Sequence, residues 1–248
     1  MFAIYKKELR AYFINPVGYV YVGVFLTAAA LICAYTTLQQ ASYDTSSYFQ
    51  YLLFAFIILI PLLTMRLFAE ERKMRTEQLL LTSPVTITGM VLGKYLAALT
   101  LFAATVLASC INFFPLFSYA IAEKAASTAE DAHVGPFGGQ IVGCLIGVIL
   151  IGAAFIAVGL FISSLTENQL SAAVITVGAL VFMMLVGIFN NYINAAPVRA
   201  VLSWVSVLSR YDGFSLGLFD FGAVVYYLSI SGVFLFLTVR VYEKRRWG

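Results

Sequence analysis

Three features of this 248-residue chain predict an all-helical integral membrane fold. It is 62% hydrophobic and only 11% charged, whereas roughly a quarter of the residues in a soluble globule are charged. Its mean hydropathy is +0.93. Its charges are also separated by long charge-free intervals, six of them long enough to cross a bilayer at about 1.5 Å per residue. The apolar runs are continuous and do not alternate with polar residues, which excludes the spans of a β-barrel. A helix satisfies every backbone N–H and C=O within its own segment, as hydrocarbon demands.

The expected spans are 17–38, 48–68, 89–120, 137–164, 168–189 and 221–240, within one membrane domain covering 1–248. Ahead of the first span, Phe2, Tyr5, Leu9, Tyr12 and Phe13 recur at helical spacing while Lys6, Lys7 and Arg10 take the other face. Asn15-Pro16 then breaks the helix. Residues 1–15 read as an amphipathic helix lying in the inner interface. The first apolar run exceeds the 7–15 residues of a signal-peptide core, so an uncleaved first helix is expected.

Orientation follows from lysine and arginine placement. Six spans put both termini on one side, with twelve of the fifteen basic residues; Lys124, Arg199 and Arg210 lie opposite. That asymmetry places both termini in the cytoplasm. The net charge of +3 reports orientation, and nucleic acid is not expected as a partner.

The loop 121–136 is polar and holds the single histidine, His133. Spans four and five are joined by the short polar turn Ser163–Gln169. Its Thr166, Glu167 and Asn168 read equally as a second partner contact or as a plain turn. Residues 190–220 read as an outer interfacial or re-entrant piece, helical over Val198–Leu208, with Trp204 at headgroup level. Gly143, Gly147, Gly152 and Gly159 suit close helix packing in span four. Cys33, Cys110 and Cys144 fall within spans, lack paired spacing, and read as small packing residues.

No site for chemistry is legible. Gly89–Tyr95 imitates a phosphate-binding loop, but three residues replace the four required between its glycines, and Tyr95 stands where Ser or Thr would bind magnesium. No carboxylate pair lies within a span, and no catalytic or metal-ligating set can be assembled. The buried acids and bases of ion-coupled carriers are also missing from the span interiors. Any transport must draw its energy from elsewhere.

Seven of the chain's charged residues instead crowd into twelve positions: Arg66, Glu70, Glu71, Arg72, Lys73, Arg75 and Glu77. Leu79, Leu80 and Leu81 follow, Pro84 ends the strip, and Gly93-Lys94 leads into span three. Here the sequence resembles the membrane subunits of ABC-2 type ABC transporters. These carry a Glu-Arg/Lys-x-x-Thr-x-x-Leu-Leu-x-x-Pro segment before a Gly-Lys pair, a pattern met by Glu71, Arg72, Lys73, Thr76, Glu77, Leu79, Leu80, Pro84, Gly93 and Lys94. Arg75 departs from it, since many members carry glycine before the threonine. Leu208–Tyr211, Phe214, Gly217 and Asp220 are similar to the branch associated with bacterial gliding motility.

The resemblance implies a permease subunit of an exporter in the bacterial plasma membrane. It would bind no cofactor, and ATP and magnesium would sit in a separate ATPase present in two copies. A coupling helix between helices 2 and 3 would meet that ATPase through Glu70, Glu71, Arg72, Lys73, Arg75, Thr76, Glu77, Leu80 and Pro84. A second permease copy or relative, membrane lipids and an accessory protein with an extracytoplasmic domain are the further partners implied. The alternative is a non-transporting scaffold that recruits an ATPase to envelope or motility machinery.

Overall fold

The computed structural model describes residues 1–39, 43–78, 85–126, 135–189 and 206–247. All regular structure among them is helical. Six helical segments are long and apolar enough to cross a membrane: Pro16–Thr37, Ser46–Lys73, Ile87–Ile121, Gly138–Leu165, Gln169–Gly187 and Phe221–Arg246. Each coincides with an expected span to within a few residues at most ends.

Helix α1 (Phe2–Ile14) stops where Asn15 turns extended, and Pro16 opens α2 (Pro16–Cys33). A proline suits that first position because its missing N–H would be unpaired there anyway. The first span closes with a wider π turn over Ala34–Leu38, in which Gln39 N donates to Ala34 O at 3.0 Å. The next elements are α3 (Ser46–Thr64), the short α4 (Ala69–Lys73) and α5 (Ile87–Ser109).

Span three is not one uniform helix. It tightens to a 3₁₀ turn at Cys110–Phe113 and resumes as α6 (Phe114–Ala126). Pro115 has no N–H to give Ile111 O, so the bond pattern must shift just upstream. The helix also continues six residues past the expected end at 120. The long α7 (Gly138–Leu165), α8 (Gln169–Phe189), a single turn α9 (Asp212–Ser215) and α10 (Phe221–Trp247) complete the order.

Helix α7 is the central post, packed against α3, α5, α8, α9 and α10. From Val148 to Leu160 its side chains are almost all buried. Contact is close because glycine lets the partners in: Gly152 lies directly under the Phe102 ring and Gly159 against Thr64. Phe25, Phe56 and Phe102 meet around the same level, with ring centroids 5.0–6.3 Å apart. The outer faces of α2, α8 and α10 expose Leu31, Val174, Phe182 and Phe236, as lipid-facing helices do.

At one end of the bundle Gln140 Nε2 donates to Asp44 Oδ1 and to Ser215 O, both at 3.1 Å, tying α9 to the start of α7. Ahead of the last span the described residues hold only the single helical turn α9, which lies beyond the expected Val198–Leu208 helix; Ser206, Val207 and Leu208 are not helical. The stretch 198–205, including Arg199 and Trp204, lies outside the described residues, as do His133, Leu80 and Pro84.

Candidate functional site

The charged strip emerges at the other end of the bundle, where α3 gives way to α4. Arg66 Nε donates to Glu70 Oε2 at 2.8 Å, one helical turn on. The first N–H groups of a helix have no partner of their own. Here Ser163 of α7 supplies it: its Oγ accepts from both Phe68 N and Ala69 N at 3.2 Å and donates to Met65 O. Helix α4 is thereby capped by a neighbouring span.

Its far end is a Schellman closure. Thr76 N donates to Glu71 O at 3.0 Å and Arg75 N to Arg72 O at 3.1 Å. Arg75 sits at φ +56°, the left-handed conformation that glycine favours. Over residues 69–76 the strip is thus not the single coupling helix that the resemblance implied. It is one capped turn followed by a reversal at the residue where the ABC-2 pattern often has glycine.

Three sets of ties fix this turn to the spans. Arg72 reaches the α7–α8 connection, with Nη1 3.0 Å from Leu165 O and Nη2 2.8 Å from Glu167 Oε1. Glu77 Oε1 lies 3.0 Å from Arg245 Nη1 of α10, whose Nη2 donates to Ser164 O at 2.7 Å. Phe68 stacks on Tyr242 with centroids 4.7 Å apart.

The third tie is buried. Lys94, two turns into α5, is 1% exposed. Its Nζ lies 2.9 Å from Glu8 Oε1 of α1, 2.9 Å from Glu71 Oε1 and 2.8 Å from Leu67 O, with the Phe68 ring centroid at 5.1 Å. Lys7 stands 3.6 Å from Glu71. Beside this cluster a cavity of about 540 Å³ opens, lined in part by Lys7, Arg66, Glu70, Met74 and Thr76. Tyr12, also on its wall, donates to Leu63 O, and burial holds its phenol far above the usual range.

The expected residues accordingly divide. Glu71, Arg72 and Glu77 turn inward as ties, whereas Lys73, Arg75 and Thr76 are exposed, with Glu70 between the two sets. Met74 is 68% exposed among them. In the neighbouring turn Thr166 donates back to Ile162 O, and Asn168 Oδ1 accepts from Leu170 N to start α8, leaving Glu167 to reach Arg72. Sequence reasoning gave Glu8 no role, read Ser163 only as part of a polar turn, and counted Arg245 only among the basic residues that set orientation. It took Lys94 for a cytoplasmic charge at the head of a span, but that lysine is enclosed; the Gly93-Lys94 pair was the available signal.

Six apolar helices with a charged, cross-braced turn at one end define a multi-pass membrane subunit. The chain belongs to the ABC-2 family, described as "ABC-2 family transporter protein", which matches residues 34–241. No curated protein matches the chain. It is therefore a transmembrane permease subunit of a family whose membrane subunits are not themselves catalytic and which generally dimerise and work with an ABC ATPase. The match names no gliding-motility branch, and it begins beyond both α1 and α2.

Proposed function

We propose that this chain is the permease half of an ABC exporter in the bacterial plasma membrane, with both termini cytoplasmic and a separate ATPase docked on the strip. ATP binding in the partner displaces the strip, and the ties convert that displacement into movement of the spans. The observation that carries this reading is the division of the strip. One set of side chains, Lys73, Met74, Arg75 and Thr76, is exposed, while Glu71, Arg72 and Glu77 grip α1, α5, α10 and the α7–α8 turn.

A second copy of the chain or a close relative completes the pathway, and ATP and magnesium remain with the ATPase. Glu167 and Asn168, exposed beside Arg72, extend the docking face. Leu80 and Pro84 continue the same segment by sequence and share the assigned role.

The test is charge reversal on the exposed set, Lys73→Glu with Arg75→Glu, in protein purified with its ATPase from native membranes. The expected result is at least a tenfold loss of co-purified ATPase with an unchanged melting temperature of the permease. Full retention of the ATPase together with full transport-linked hydrolysis overturns the reading.

A further inference from the structure

Helix α1 has the features of a passive interfacial anchor, yet the structure ties it to the strip. It lies across α5 so closely that a Cβ at Gly93 would come within 3.2 Å of Ile4 Cβ and of Met1 O. Its Glu8 shares the Lys94 ammonium with Glu71, and Lys7 spans the same two carboxylates at 3.9 and 3.6 Å. Lys94, at 1% exposure on the wall of the cavity, takes its charge compensation from these two carboxylates. Withdrawing either carboxylate leaves the buried ammonium with one counter-charge and an unfilled donor, which costs more than moving the three groups together. The joints lie elsewhere. Asn15 is extended between α1 and α2, and residues 65–68 form a turn between α3 and α4.

We propose that Lys94 binds α1, the head of α5 and the strip into one moving unit, so that displacement of the strip by the ATPase is delivered to α1 at the membrane surface. Lys94 is a positioning residue in this scheme: it touches neither nucleotide nor cargo and acts through Glu8 and Glu71. The inference rests on the docking role assigned to the strip. It goes further by making α1, which the family match does not include, a moving part of the cycle. The exposed aromatic Phe2 and aliphatic Ile14 of α1 would then be shifted against lipid with each turnover.

The test uses the complex with its ATPase, purified from native membranes, with Cys33, Cys110 and Cys144 replaced by alanine. Spin labels are placed at the exposed Arg10 of α1 and Leu170 of α8. In the parental complex, trapping with ATP and vanadate is expected to shift the distance between labels. Glu8→Ala, which leaves the Lys94–Glu71 contact in place, is expected to abolish that shift while the ATPase stays bound. Lys94→Met is expected to abolish it too. Glu8→Gln, which keeps the shape and an acceptor oxygen, is expected to reduce the shift and covers the case in which the alanine variant does not fold.

An undiminished shift in these variants overturns the proposal. So does a stationary α1 in a parental complex whose residues 70–78 change their hydrogen exchange with nucleotide. Absence of any ATPase from the parental preparation is a different result: it removes the docking reading, and this inference with it.

Discussion

Arg245 closes on Glu77 at 3.0 Å across 168 positions of sequence. The same guanidinium donates to Ser164 O and lies over the Tyr242 ring at 5.2 Å. A single side chain of α10 therefore holds both the strip and the end of α7. Its pairing with Glu77 is mostly shielded, with side-chain exposures of 25% and 16%. Double-mutant analysis of Glu77→Ala and Arg245→Ala should return a coupling of about 1 kcal/mol, at the upper end of the range for freely exposed pairs. Hydrogen exchange at residues 74–78 is the measurement. Local opening should rise roughly fivefold in either single variant and little further in the double.

Ser163 offers a second test, independent of charge. Ser163→Ala leaves Phe68 N and Ala69 N, both on buried residues, without their acceptor. Orphaned donors of this kind cost about 1–3 kcal/mol. The expected outcome is a lowered melting temperature and faster exchange at the amides of residues 68 and 69, with exchange in the half of α7 nearer Gly138 unchanged.

Arg75 offers a third test, of backbone conformation. A left-handed residue other than glycine costs about 1–2 kcal/mol, part of which glycine gives back through its greater freedom when unfolded. Arg75→Gly should keep the turn and remain within about 1 kcal/mol of the parent. Arg75→Val, branched at Cβ, should lose about 1–2 kcal/mol and open the Thr76–Glu71 bond. Thermal unfolding in detergent, together with exchange at Thr76, separates the two.

At the centre of the bundle, Gly152→Ala would drive a methyl into the Phe102 ring. Overpacking of this sort costs about 1–3 kcal/mol. Pairing it with Phe102→Leu, which clears the space, should recover much of the loss. The melting temperatures of the two single variants and the double variant decide the matter.

Much of the architecture was legible in the sequence because a bilayer permits so few solutions. A charge-free stretch of about twenty apolar residues has to be a helix, and its ends must fall near the flanking charges. The strip was legible for the same reason, as charge concentrated where water can reach it. Which of its charges face inward was not. Helical periodicity reports neighbours three or four residues away, whereas Glu71 finds its partner in Lys94 and Glu77 finds Arg245 in the last span. Reversing Glu71 or Glu77 would therefore disturb these braces as well as any docking surface, which makes Lys73 and Arg75 the cleaner probes. Ser163 looked like an ordinary turn residue because nothing local marks it as a cap for another helix. The continuation of α6 to Ala126 was missed because Glu123 and Lys124 suggested a loop, although both residue types are good helix formers.

The braces around the strip also differ in when the ribosome supplies their members. Glu8, Leu67, Phe68 and Glu71 all precede Lys94, so every partner of the enclosed lysine has been synthesised before it. Leu165 and Glu167 follow much later, and Arg245 comes almost last. The Lys94 cluster beside α1 thus needs only residues from the first two-fifths of the chain, whereas the Arg245–Glu77 clasp cannot close until α10 has been made.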